Sequence, residues 1–141
     1  MKLIFGIDLK AAFLICGLLL AWSGTYAADC NNPPGGLGLD SARASYVCAE
    51  KMRKSSDVKL NQIYKKLLVA VKIDSDAGVD VKAELISAQK AWIAFRDAEC
   101  ELSANISGGA QQWIMVNHSQ CLAELTDERV KLLQNYMDQV K

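Results

Sequence analysis

The chain has 141 residues, with 16 lysines and arginines set against 16 acidic residues, a single histidine and five cysteines. Such a balance is contrary to a nucleic-acid-binding surface, which needs clustered basic side chains to displace the counterions of phosphates. The length suits one domain with a modest core, and no second is expected.

Met1-Lys2 opens a short basic n-region, residues 11–22 form a run of apolar or small residues, and Thr25-Tyr26-Ala27 ends in a small residue suited to cleavage. Residues 1–27 therefore read as a secretory signal peptide. A membrane span needs about 20 consecutive apolar residues, and this run is shorter and preceded by Asp8 and Lys10. Lipidation at Cys16 is disfavoured because bulky Phe13-Leu14-Ile15 stands where small residues are needed. The expected mature chain, residues 28–141, is a single helical domain with 14 basic and 15 acidic residues, periplasmic or secreted and without a membrane segment.

Asn31-Asn32-Pro33-Pro34-Gly35-Gly36 predicts a lead-in loop, since proline lacks a backbone donor and glycine loses most entropy on ordering. Asp40 or Ser41 then caps a short helix over residues 41–52 that carries Tyr46, Val47, Cys48 and Met52. Ser55-Ser56-Asp57 predicts a second cap. It opens a helix over residues 56–73 whose Leu60, Ile63, Tyr64, Leu67 and Val71 keep the helical period, with Lys59, Lys65, Lys66 and Lys72 opposite. Residues 74–78 form a turn. It is no calcium loop, because counting from Asp74 the sixth position is Val79 rather than glycine and the twelfth is Leu85 rather than glutamate.

Asp80 caps the next helix, expected over residues 80–104, which organises the whole chain. Leu85, Ala88, Trp92 and Phe95 fall along one helical face and predict a buried core. Ala91, Ala94 and Ala98 leave room for a neighbouring helix. Paired Gly108-Gly109 after a polar run reverses the chain. Residues 111–120 mix Trp113, Ile114, Met115 and Val116 with amides, a pattern compatible with a short helix or an irregular arm. From Leu122 the stripe returns through Leu125, Leu132, Leu133, Tyr136 and Val140, with Arg129 on or beside it, and predicts a last helix over 121–139. No segment alternates as a half-buried strand does. The expected fold is all-α, a small disulfide-stapled bundle of about four helices.

The run Ala88-Gln89-Lys90-Ala91-Trp92-Ile93-Ala94-Phe95-Arg96-Asp97-Ala98-Glu99-Cys100, followed by Gly108-Gly109, Cys121, Thr126 and Arg129 and preceded by Cys48 and Leu60-Asn61-x-x-Tyr64, resembles the lysozyme-inhibitor LprI-type domain family, long described only as a domain of unknown function. The likeness spans roughly residues 30–136, and its specific part is the run from Trp92 to Cys100. It implies a scaffold more strongly than a task, because lysozyme inhibition is attached to few members. Cys30, Cys48, Cys100 and Cys121 remain after leader removal, and four cysteines in an exported chain read as a disulfide framework with three connectivities. Cys30 with Cys48 and Cys100 with Cys121 is favoured, since each pair closes a local loop and the family's cysteines also fall as one early and one late pair. No metal is expected: no Cys-x-x-Cys spacing occurs and His118 is the lone histidine.

Asn117-His118-Ser119 invites a triad reading, but neighbours on a helix point in different directions, so His118 reads as a polar surface residue. Asp97 and Glu101 stand four apart and suggest paired carboxylates, yet Arg96 beside them favours ion pairing. The expectation is a polar network of Arg96, Asp97, Glu99 and Arg129 bracing the organising helix against the last one. No phosphate-binding, metalloprotease or haem motif appears, so neither an enzyme nor a cofactor is expected. The resemblance implies a muramidase of the lysozyme type as partner, bound stoichiometrically. An inhibitor needs a projecting polar element, for which Ser107, Gly108, Gly109, Gln111 and Gln112 are the candidates. A non-inhibitory envelope docking module would instead present an apolar patch, around Trp113, Ile114 and Met115.

Overall fold

The computed structural model of the protein describes residue 30 and residues 41–71 and 78–140. These hold three long helices and no strand: α1 (Ala42–Ala70), α2 (Val81–Ser107) and α3 (Gln111–Gln139). The all-α class holds, with three helices in place of about four. The leader at 1–27, the loop at 31–36 and most of the 74–78 turn fall outside the described residues.

Helix α1 merges the two helices expected at 41–52 and 56–73. Ser41 is its N-cap, the hydroxyl accepting from the Ala44 N–H at 3.2 Å. Ser55-Ser56-Asp57 starts nothing, because it lies within an unbroken helix and Ser56 and Asp57 are turned to that helix's neighbours. Ser56 is buried on the same stripe as Ala49, Leu60, Ile63 and Leu67. Asp57 accepts from Arg53 one turn earlier and from Arg96 on α2, so its carboxylate is not free to cap backbone donors.

Asp80 caps α2 as expected, accepting from the Ala83 N–H at 2.9 Å. The helix runs on to Ser107, beyond the expected end at 104, and stops only at Gly108. Helix α3 begins ten residues before the expected 121. Its buried Val116, Ser119, Ala123, Thr126 and Leu133 continue one inward stripe. Residues 111–120 are thus the first third of a regular helix. Three members of that stripe are small or polar, which hides it from a search for apolar periodicity.

The pairing of Glu50 with Ser119 and of Lys59 with Asp127 shows that α1 and α3 run parallel. Cys100 with Cys121 and Gln89 with Arg129 show that α2 and α3 run antiparallel. Helix α3 packs along both α1 and α2. The bundle divides along its length. One end is a conventional core of Leu60, Ile63, Leu67, Leu85 and Leu133, with Tyr64, Trp92, Val130 and Met137 against it; full burial of each leucine contributes about 1.5–3 kcal/mol. The other end is lined by Ala44, Ala49, Ala104, Val116 and Ala123, whose small side chains bring the helices close while adding little apolar area. Disulfides tie that end, joining Cys30 to Cys48 and Cys100 to Cys121 as expected.

Phe95 is not core: it is 56% exposed. Leu85, Gln89, Trp92, Arg96, Cys100 and Ala104, three or four apart, form the inward stripe of α2, and Phe95 lies to one side of it. Leu85 is buried as expected, whereas Trp92 is half-buried at the edge of the leucine cluster. Asp97 is exposed, as are Leu132, Tyr136 and Val140 on α3. Among the described residues no helix is long and apolar enough to cross a membrane.

Candidate functional site

At the stapled end, α2 turns into α3 over Gly108, Gly109 and Ala110. Gly108 has φ +65° and its N–H donates to the Ala104 carbonyl at 3.3 Å, closing α2; Gly109 has φ +97°. A Cβ on either residue would meet nothing nearer than 3.8 Å, so the backbone angle and not space demands glycine here. Ser103 and Ser107 remain helical, with the Ser107 hydroxyl donating to the Ser103 carbonyl.

Ser107, Gly109, Gln111 and Gln112 are exposed together at this tip, with Gly108 half-buried beneath them. The structure thus gathers the five residues nominated from sequence, although Gln111 and Gln112 belong to the first turn of α3 and not to a loop. Ala110 gives α3 no side-chain cap. The Ala110 carbonyl accepts from the Trp113 and Ile114 N–H groups, which leaves the Gln111 and Gln112 N–H groups at the helix start beside two exposed amide side chains, a surface suited to oxygen acceptors. Cys100–Cys121 fixes α2 to α3 below the turn, which limits the entropy lost when the tip docks. Trp113 and Met115, both about two-fifths exposed, flank it.

Towards the middle of the bundle runs a chain of polar contacts linking all three helices. The Ser119 hydroxyl on α3 donates to Glu50 on α1 at 2.8 Å, and Arg53 grips the same carboxylate with two bonds of 2.9 Å. Arg53 also donates to Asp57 at 3.0 Å. Arg96 on α2 then donates through one terminal nitrogen to Asp57 at 3.1 Å and to the fully buried Thr126 hydroxyl at 3.0 Å. Its other nitrogens hold Asp97. The fork from Arg53, helped by Ser119 and opposed by burial, holds the Glu50 carboxyl at about 2, and Arg53 is raised in return.

This network corrects the expected one. Arg96 braces α2 against both neighbours, not only α3. Arg129 belongs to a separate cluster, donating from Nε to Gln89 at 3.1 Å. Trp92 lies between the two arginines, 5.3 Å from the Arg96 guanidinium and 5.6 Å from that of Arg129. Glu99 is exposed and takes no part. Glu50 and Arg53 escaped the sequence reading, and Asp57 and Ser119 were read there as a cap and a triad member, although Glu50-x-x-Arg53 and Arg53-x-x-x-Asp57 have the spacing of helical ion pairs.

Ser119 is committed to Glu50, so the arrangement gives no support to a triad with His118. His118 is half-buried where a surface position was expected. It lines a pocket of about 330 Å³ with Tyr46, Glu50, Arg53 and Met115. Among the described residues no three potential ligands converge on a metal position.

The chain is similar to known proteins in sequence and in fold. An uncharacterized protein of Rhizobium meliloti (strain 1021) is 33% identical over 100 residues, covering 65% of this chain and 70% of its own. The crystal structure of a DUF1311 family protein from Pseudomonas putida KT2440 superposes with a TM-score of 0.59 at 18% identity, over 70% of this chain and 95% of that one, a likeness of fold. Residues 39–133, which take in α1, α2 and most of α3, match the family described as Lysozyme inhibitor LprI, and the chain belongs to that family.

Proposed function

We propose that the protein is exported to the periplasm or beyond and inhibits a lysozyme-type muramidase by stoichiometric binding, without catalysing a reaction itself. Membership of an inhibitor family supports the class of activity. Two disulfides fit an oxidising compartment.

The observation that carries the reading is the exposed tip of Ser107, Gly109, Gln111 and Gln112, rigidly held by Cys100–Cys121. A muramidase cleft works with carboxyl groups, and outward amide and backbone donors at the start of an uncapped helix are complementary to them. The tip lies at the end of the α2–α3 pair, where the chain turns between the two helices. The test is a titration of the purified protein into several lysozymes clearing cell-wall suspensions. Inhibition should saturate near equimolar protein under tight-binding conditions and weaken in Gln111→Glu and Gln112→Glu, with unfolding midpoints no lower than the parent's, since an acid in the first turn favours the helix. Absence of a complex with lysozymes of every class tried would refute it.

A second reading, an envelope docking module without inhibitory action, draws on exposed Trp113 and Met115 beside the tip. It predicts that Trp113→Ser leaves lysozyme clearing untouched.

A further inference from the structure

The end of the bundle remote from the tip holds a cleft of about 330 Å³ between the C-terminal parts of α1 and α3 and the start of α2. Leu67, Val71, Leu85, Ala88 and Val140 supply apolar wall. Its volume is at the lower end of the range for small-molecule pockets, which combine apolar walls with a few directed polar groups.

Among the described residues one cation faces this space. Arg129 lines the cleft and is anchored from behind, its Nε donating to Gln89 and its plane held near the Trp92 ring. Among the described residues it has no carboxylate partner. Its two terminal nitrogens donate to none of them, and neither is sealed from solvent, since no buried side-chain nitrogen lacks a partner. Glu84 stands at the cleft but is exposed and forms no ion pair with Arg129. Tyr136 lines the same space and brings a hydroxyl. Burial lowers the guanidinium from its ordinary value, as expected for a cation without a counterion.

A planar guanidinium with two free terminal nitrogens is matched by a carboxylate accepting two parallel bonds. Apolar walls are matched by a hydrocarbon chain. We infer that this cleft binds a small apolar monocarboxylate, its carboxylate on Arg129 and its chain along Leu67, Leu85 and Ala88. The site is separate from the tip, so it stands whether or not lysozyme is the partner.

The probe is octanoate, titrated calorimetrically into the purified protein while Trp92, beside Arg129, reports by fluorescence. Saturable binding at one site is expected. Arg129→Gln should weaken it by at least about tenfold, the cost of losing a charge-assisted pair. Ala88→Phe, on an exposed position that fills the cleft, should abolish it with an unchanged far-UV spectrum. Acetate and octanol should each bind far more weakly than octanoate. Octanol binding as tightly as octanoate, or unaltered octanoate binding by Ala88→Phe, would overturn the assignment. Tighter binding of a leucine-terminated dipeptide than of octanoate would overturn it in favour of a peptide C-terminus.

Discussion

Replacing Arg96 with alanine removes a side chain of α2 that bonds to both α1 and α3. The side chain is 13% exposed, and its guanidinium donates to Asp57 on α1 and Thr126 on α3 while lying 5.3 Å from the Trp92 ring. Its loss leaves the Thr126 hydroxyl, 0% exposed, without its charged donor, at a cost of about 1.5–3 kcal/mol. Asp57 suffers less, because it is 31% exposed and keeps Arg53, so about 0.5 kcal/mol is lost there. The stacking on Trp92 adds about 1 kcal/mol. Together these predict a destabilisation of roughly 3–4.5 kcal/mol. Urea unfolding followed by circular dichroism, disulfides intact, should show a midpoint lower by roughly 1–4.5 M at ordinary slopes. Thr126→Val in the same background should cost far less than it does in the parent, since the two changes remove one shared bond. A loss under about 1 kcal/mol for Arg96→Ala, or additive effects in that cycle, would show that the bundle does not depend on this brace. Loss of lysozyme binding at an unchanged midpoint would likewise refute it and place Arg96 in the interface.

Phe95→Ser should change stability by no more than about 0.5 kcal/mol, because the ring is 56% exposed, whereas Trp92→Ala should cost about 2–3 kcal/mol in the same urea assay. Glu50, held at about 2 against 4.5 for a free side chain, stabilises the fold above pH 4.5, and that contribution disappears as pH falls towards 2. The full linkage is about 3 kcal/mol, and solvent reaching the 21% exposed side chain screens it to about 1 kcal/mol; Glu50→Gln should flatten the stability curve between those pH values. Removing the Cys100–Cys121 link, which spans a sequence separation of 21, as a double alanine variant should cost about 3 kcal/mol, read as the shift in thermal midpoint.

Local features were legible without the fold. Leu60, Ile63, Leu67 and Leu85 are apolar at helical spacing, Asp80 precedes a helix it caps, and Gly108-Gly109 turns the chain, because periodicity, capping and φ freedom act over a few residues. The cysteine pairs followed from proximity along the chain and from the family likeness. Tertiary packing alone decided that Ser56, Ser119, Ala123 and Thr126 belong to the interior, since small and polar residues reveal burial only when a partner helix covers them. That packing fused the two expected helices into α1 and extended α3 back to Gln111. It also set the rotation of α2, turning Trp92 and Arg96 inward and Phe95 outward, a choice open to sequence because all three lie on adjoining faces. Likewise the contacts of Arg96 with Asp57 and Thr126, 39 and 30 residues away along the chain, exist only because the fold brings the three helices to one level, where a charged donor replaces the water each polar group gives up.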